Sequence, residues 1–262
     1  MYMEKVRSDK KRVLLKIGTN TLTRETDQIS RGKIEDIARQ IFQLKDSCEF
    51  IIVSSGAIAV AKQFVKLESN GKAITVKQAL AAIGQPHLMR IFQENFRELG
   101  LLTSQCLLSY PDFERETSRE NIYNTLNVLV QNGYIPIINE NDTVATEEIQ
   151  FGDNDKLAAL TGSLLGVDLV IIATNTDGIY TKASVENGEK VTIDRVERIG
   201  DLRNEVIVGK SSHGTGGMQS KIDAAEILYK HQIETWIVNG LKDNFILNAF
   251  ENTIPFTKIG RK

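Results

Sequence analysis

The sequence predicts an α/β fold built on a central, mainly parallel sheet, and two observations carry that expectation. Short apolar runs rich in β-branched residues alternate along the chain with longer segments whose apolar residues recur every three or four positions. Buried parallel strands read as continuous apolar runs rather than alternation, and Leu169–Ala173 fits that pattern well. With 262 residues, the chain has room for one large domain or two closely joined lobes, at about 150 residues per domain.

Taken in order, Arg12–Ile17 reads as the first strand, because Val13, Leu14, Leu15 and Ile17 form a nearly unbroken apolar run. Ile34, Ile37, Ala38, Ile41 and Leu44 then make one helical stripe. Phe50–Val53 is the second strand and runs through Ser54-Ser55-Gly56 into a helical stretch from Ala57. Leu67–Thr75, with Glu68, Ser69, Asn70, Gly71 and Lys72, is expected to be a polar loop. Leu102–Leu107 is the third strand. Ile122, Leu126, Leu129 and Val130 stripe a second helix before the strand Ile135–Ile138. Leu157-Ala158-Ala159-Leu160 is helical, and Leu169–Ala173 is a strand of the continuously buried kind. Glu186–Arg198 is charged and reads as a hairpin or an excursion. Ile207–Gly217 is packed with Gly and Ser and is expected to be a binding loop or lid. Ile222, Ala225, Leu228 and Tyr229 stripe a last helix ahead of the strand Thr235–Val238. No Pro/Ser linker and no fixed-period repeat divides the chain.

Composition removes several classes of function. Lys and Arg number 32 against 34 Asp and Glu, a net charge of −2, without the basic excess that gripping a nucleic-acid backbone demands. Apolar runs such as Phe50–Val53 and Val167–Ala173 (with Asp168 inside it) fall far short of the ~20 residues that span a bilayer. Met1–Arg12 is charged, with no apolar stretch ahead of a small-residue cleavage site, so no secretory signal is visible. Two cysteines, Cys48 and Cys106, are too few for a disulfide framework or a zinc cage. The expectation is a soluble cytoplasmic protein that binds neither nucleic acid nor membrane.

In open parallel sheets, ligands collect at the carboxyl ends of the strands. The first strand ends Leu15-Lys16-Ile17-Gly18-Thr19-Asn20. A lysine in that apolar company either binds an anion such as phosphate or snorkels to water. Ser54-Ser55-Gly56 offers N–H groups and hydroxyls at a helix start, suited to a carboxylate or phosphate, or to ordinary capping by serine. No G-x-S-x-G surrounds Ser55 and no histidine is placed to activate it. Ile137-Ile138-Asn139-Glu140-Asn141-Asp142 breaks from apolar strand into amides and carboxylates. Gly152-Asp153-Asn154-Asp155-Lys156 follows shortly, opening a helix that these side chains could simply cap. Together the two clusters offer acceptors for an ammonium and donors for a carboxylate, the needs of a zwitterion. They lack the spacing of an EF-hand.

Gly214-Thr215-Gly216-Gly217-Met218-Gln219-Ser220-Lys221 precedes the last helical stripe. Glycines there bring N–H groups toward phosphates and Lys221 adds a point charge; the plain alternative is a flexible linker. Gly209-Lys210-Ser211 has the ending of a Walker A loop, but Asn204 stands where its first glycine is required. His87, His213 and His231 show no metal-ligand spacing, and protein-kinase signatures are absent.

The ordered set Lys16-Ile-Gly-Thr-Asn, Ser54-Ser-Gly-Ala-Ile-Ala, Ile138-Asn-Glu-Asn-Asp, Gly152-Asp-Asn-Asp, Thr176-Asp-Gly-Ile-Tyr-Thr and Gly214-Thr-Gly-Gly-Met resembles the amino acid kinase family. The resemblance runs from about Val13 to Thr257. It implies a three-layer αβα sandwich, forming a single kinase domain over 1–262. The half up to about 165 would hold the acidic substrate and the half from about 166 the nucleotide. The implied reaction transfers the γ-phosphoryl of ATP to the side-chain carboxylate of L-glutamate, the opening step of proline biosynthesis, with Mg²⁺ arriving on the nucleotide. Lys16 and Lys221 match the lysines that neutralise the transferring phosphoryl, and Asp155 the aspartate that orients them. Ser55, Asn139, Asp142, Asp153 and Asn154 match substrate positions. Lys16, Thr174, Asn175, Thr215, Gly216, Gly217, Met218, Gln219, Ser220 and Lys221 match nucleotide contacts.

The same resemblance implies a homo-oligomer, dimer or tetramer, and a functional link to the glutamyl-phosphate reductase. Many family members carry a further C-terminal RNA-binding-like domain, termed PUA, which this chain is expected to lack. Asn175 stands where relatives often have an acidic residue. Other acceptors (N-acetylglutamate, aspartate, carbamate, UMP) and a non-catalytic amino acid or nucleotide sensor remain the alternatives. The clusters Asn139–Asp142 and Asp153–Asp155 favour a substrate with a free α-ammonium.

Overall fold

The structure, a computed structural model, describes residues 9–67, 73–144, 154–205 and 217–260. Eight strands form one sheet: β1 (Lys11–Ile17), β2 (Cys48–Ser54), β3 (Leu102–Leu108), β4 (Tyr134–Glu140), β5 (Leu169–Thr174), β6 (Arg195–Val196), β7 (Glu234–Asn239) and β8 (Thr257–Ile259). The spatial order is β3-β4-β2-β1-β5-β7-β8-β6. All neighbours run parallel except β7 and β8. The six strands expected from apolar runs are present. β6 and β8, of two and three residues, are too short to carry a period and were not legible.

Side-chain alternation along β1 sorts the core into layers. Val13, Leu15 and Ile17 belong to one apolar cluster and Leu14 to another. The first cluster is covered by α2 (Arg31–Leu44), α3 (Ala57–Lys62) and α4 (Ala73–Arg97), with a later helix, Phe245–Phe250. The second is covered by α5 (Glu116–Gln131), α6 (Asp155–Leu165) and the helix Met218–Lys230. Helices on both faces of the sheet make the three-layer αβα sandwich that the resemblance implies. Short helices α1 (Thr19–Thr23), Lys182–Glu186 and Ile199–Glu205 and a 3-10 turn at Tyr110–Phe113 complete the described elements. A third apolar cluster, including Ile179, Val196, Ile237 and Ile259, fills the end of the sheet around β7, β8 and β6. Among the described residues no helix is long and apolar enough to cross a membrane.

One expectation needs correction. The expected loop Leu67–Thr75 gives way to helix by Ala73, where α4 begins; its residues 68–72 lie outside the described ones. α4 has 25 residues and was not anticipated, because Gly84 and Pro86 interrupt its middle and both are poor helix formers. What holds it is packing: Leu80, Leu88, Met89, Ile91, Phe92 and Phe96 are buried. Glu186–Arg198 is an excursion with a trace of both motifs. Tyr180 and Thr192 form an antiparallel bridge, and Arg195–Val196 pairs with β8. Most of the glycine-rich stretch Ile207–Gly217 lies outside the described residues.

Candidate active site

From β1 the strand order grows one way through β2, β4 and β3, and the other way through β5 and β7. The order therefore reverses between β1 and β5, and the carboxyl ends of these two strands flank the crevice where such sheets bind ligands. Lys16 lies one residue before the end of β1, on the same face as Leu14 and opposite Ile17. Alternation thus aims it at the layer containing α6 rather than at α2.

There it meets Asp155, the first residue of α6. Lys16 Nζ lies 2.6 Å from Asp155 Oδ1, with the two side chains 3% and 0% exposed. Lys221, in the first turn of the helix Met218–Lys230, which we label α9, donates to the other oxygen, Oδ2, at 3.0 Å. (Counting the short helices, α7 is Lys182–Glu186, α8 is Ile199–Glu205 and α10 is Phe245–Phe250.) Ser220 Oγ sits 2.9 Å from the same Oδ2 and 2.8 Å from the Gly217 carbonyl. One carboxylate therefore gathers two ammonium groups from opposite ends of the chain. Burial pushes the Asp155 carboxyl upward, but the charges and hydrogen bonds of Lys16 and Lys221 outweigh it. Its pKa is held well below the usual carboxylate range. The snorkelling alternative for Lys16 does not hold, since its ammonium is buried and paired.

Next to this cluster runs a chain of amides. Asn154 Nδ2 donates to the Ser54 carbonyl at 2.8 Å and to Asn139 Oδ1 at 2.9 Å, with Ser55 Oγ at 3.2 Å. Asn139 Nδ2 in turn donates to Gln85 Oε1 at 2.8 Å, and the Glu140 N–H donates to Asn139 Oδ1 at 2.9 Å. The carboxyl ends of β2 and β4, the start of α6 and the middle of α4 are thereby tied together.

The capping alternatives fail here. Asn154 is the N-cap residue of α6 but makes no side-chain cap hydrogen bond. Gly56, not Ser55, is the N-cap of α3, likewise without one. The side chains of Asn154 and Ser55 meet each other in the site instead.

Among the residues expected to bind substrate, Ser55, Asn139 and Asn154 come together, each buried. Asp142 lies just past β4, also buried, its backbone N–H on the Glu140 carbonyl at 3.0 Å. Burial pushes its carboxyl up to about 6. Asp153 lies outside the described residues. The nucleotide set divides further. Thr174, buried at the end of β5, accepts from the Gly240 N–H at 2.7 Å. Asn175 is exposed and donates to Glu25 Oε1 at 3.0 Å. Gly217 is the N-cap of α9. Met218 packs against the third apolar cluster, and Gln219 Nε2 donates to Asp223 Oδ1 at 2.7 Å along the helix surface. Ser220 and Lys221 are drawn to Asp155. Thr215 and Gly216, with His213, lie outside the described residues.

One residue of the site, Gln85, has no signature of its own in the sequence, because it lies inside the helix that Gly84 and Pro86 obscure; Ser220, expected among the nucleotide contacts, also supports Asp155 through its hydroxyl. The triplet Gly84-Gln85-Pro86 was the available signal. A Cβ on Gly84 would fall 1.8 Å from the Ala57 carbonyl oxygen, so only glycine lets α4 cross the start of α3 closely enough to deliver Gln85.

Comparison with known proteins agrees with this architecture. Residues 11–239 match the amino acid kinase family. The chain is 38% identical over 253 residues to a glutamate 5-kinase of Alkaliphilus metalliredigens, covering 96% of each protein. It is 40% identical to a glutamate 5-kinase of Clostridium acetobutylicum, covering 95% of each. A longer glutamate 5-kinase, from Caldanaerobacter subterraneus, is 42% identical over 237 residues, which are 90% of this chain and 64% of that protein. In structure the chain is similar to UMP kinase from Ureaplasma parvum, with a TM-score of 0.64 at 16% identity over 96% of this chain; that likeness bears on the fold alone.

Proposed function

The chain belongs to the amino acid kinase family, and from that premise we propose that it phosphorylates the side-chain carboxylate of L-glutamate with ATP, giving glutamyl 5-phosphate and ADP. The observation that carries the reading is Asp155 holding Lys16 and Lys221 on its two oxygens, beside an amide cluster suited to a zwitterion. A glutamate carboxylate oxygen attacks the γ-phosphorus while the bond to the β-phosphate oxygen breaks and ADP leaves. The acceptor is already ionised near neutral pH, so no general base is called for. The task is to align the groups and meet the charge spreading over the phosphoryl oxygens.

Lys16 and Lys221 do the second of these. Both are buried and oriented by one anion, so their charges need no reorganisation as the transition state forms. The N-terminus of α9, capped by Gly217 without a side-chain bond, leaves N–H groups for the nucleotide phosphates. Residues up to about 165 form the glutamate side and those beyond it the nucleotide side, with Lys221 reaching across. Mg²⁺ would arrive with ATP and supply further neutralisation of the phosphate charge. The product, a reactive acyl phosphate, is a natural substrate for a reductase.

The test is ADP release with glutamate, N-acetylglutamate, aspartate, carbamate and UMP as acceptors. Turnover on glutamate far above the rest is expected. Preference for N-acetylglutamate or UMP overturns the assignment of acceptor, and ATP binding without turnover on any of them identifies a sensor.

A further inference from the structure

We propose that Gln85 is a specificity-determining residue that reads the α-carboxylate of the acceptor, the carboxylate that is not phosphorylated. This deepens the glutamate reading and rests on it.

Two backbone groups at the site have a hydrogen-bonding sense that cannot be reversed. The Ser54 carbonyl only accepts, so Asn154 must turn its Nδ2 toward it. The Glu140 N–H only donates, so Asn139 must present Oδ1 to it, and that same oxygen accepts from Asn154 Nδ2. Asn139 therefore has only its Nδ2 left for Gln85, whose Oε1 accepts it at 2.8 Å. Two fixed peptide groups thus propagate one polarity through three side-chain amides, and the O/N assignment of each follows from chemistry.

The polarity leaves one atom over at each end. Gln85 Nε2 and Asn154 Oδ1 are both buried and both without a hydrogen-bond partner among the described residues. Gln85 is 8% exposed and Asn154 0%. Buried polar atoms in folded proteins are nearly always paired, so an orphan donor and an orphan acceptor joined through one amide are best explained by a ligand that supplies the partners. An amino acid bears matching groups on a single carbon: an ammonium that only donates and a carboxylate that only accepts. Asn154 adjoins Asp155 in sequence, and Gln85 stands at the end of the amide chain away from the Lys16–Asp155–Lys221 cluster. The reacting carboxylate belongs at the lysines, so the donor at Gln85 falls to the α-carboxylate.

The experiment compares two acceptors, L-glutamate and its α-carboxamide, isoglutamine, in the wild-type enzyme and in Gln85→Glu. The substitution keeps the length of the side chain and an oxygen for Asn139 Nδ2. It replaces the free donor with a negative oxygen, which repels an α-carboxylate and accepts from an α-carboxamide. We expect the ratio of kcat/KM for glutamate over isoglutamine to fall by about 100-fold, mostly through the KM for glutamate, with the KM for ATP within twofold. Gln85→Met, which removes the donor without adding charge, is the second variant and stands in if Gln85→Glu does not fold. It should raise the KM for glutamate about tenfold at near-constant kcat, since a hydrogen bond to a charged group is lost. An unchanged acceptor ratio in Gln85→Glu, or an unchanged glutamate KM in Gln85→Met, overturns the role of Gln85 alone. Failure of the wild-type protein to turn over glutamate overturns the underlying reading instead.

Discussion

Lys16 Nζ lies 2.6 Å from Asp155 Oδ1, and both side chains are almost wholly removed from solvent. Lys16 is aimed there by the two-residue period of β1, and Asp155 by opening α6 under that face of the sheet. A pair so buried is expensive to break, since removing one member strands the other charge, at ~3–5 kcal/mol. Here the stranding would be double, because Lys221 leans on the same carboxylate.

Asp155→Asn should lower kcat by at least ~10²-fold, because the two ammonium groups lose their common anchor and small misplacements at a reacting centre cost that much. It should also lower the thermal midpoint, as two buried cations are left facing a neutral amide. Turnover and melting of this one variant check both. Native-like turnover with both substrates saturating would remove Asp155 as the organiser.

Lys221→Ala should lower kcat by ~10²–10³-fold with a much smaller change in the KM for glutamate. The charge it meets grows only as the phosphoryl group transfers, and loss of one such donor has that typical cost. Steady-state kinetics in both substrates decide it; a near-native kcat would take Lys221 out of the mechanism.

Asp142 sets a pH dependence. Burial raises its carboxyl to about 6 from 3.8, so the folded protein binds this proton more tightly than the unfolded chain. On this group alone, stability is greatest below the unfolded value and is lost as the pH rises through about 6. Only the anion serves an α-ammonium well, so the KM for glutamate should fall as the pH climbs through that range. Asp142→Asn should raise that KM and flatten its pH profile while leaving the KM for ATP within a factor of about three. A pH profile that survives the substitution would assign the titration elsewhere.

Gly84→Ala tests the helix crossing. Alanine favours a helix interior over glycine by ~1 kcal/mol. Against that gain, the added methyl would meet the Ala57 carbonyl oxygen at 1.8 Å, and a backbone atom cannot swing aside. Overpacking typically costs ~1–3 kcal/mol, so the net effect should be a lower thermal midpoint. Because Gln85 is the next residue, the KM for glutamate should rise with it. A variant that melts higher would show that α3 and α4 have slack at this crossing.

The sequence by itself determined the strands and most of the helices that frame the site. Val13–Leu15, Phe50–Val53 and Leu169–Ala173 are continuously apolar, as strands covered on both faces are. Lys16, Ser55 and Asn139 stood out because polar groups at the ends of such runs fall at the carboxyl edge of the sheet, and Asn154 and Asp155 because a second polar cluster opens a helix shortly after the Asn139–Asp142 one. Pairing was a different matter. No local pattern says that Lys221 meets Lys16 on one carboxylate, or that Asn154 forgoes its helix cap for the Ser54 carbonyl. Nor does any period mark β6 and β8, which exist because neighbours complete them, or Gln85, which arrives through a glycine that lets two helices nearly touch. Propensity and periodicity are set by residues a few positions apart. The partners of a buried charge or amide are set by which elements the packed sheet brings together, and only the tertiary structure decides that.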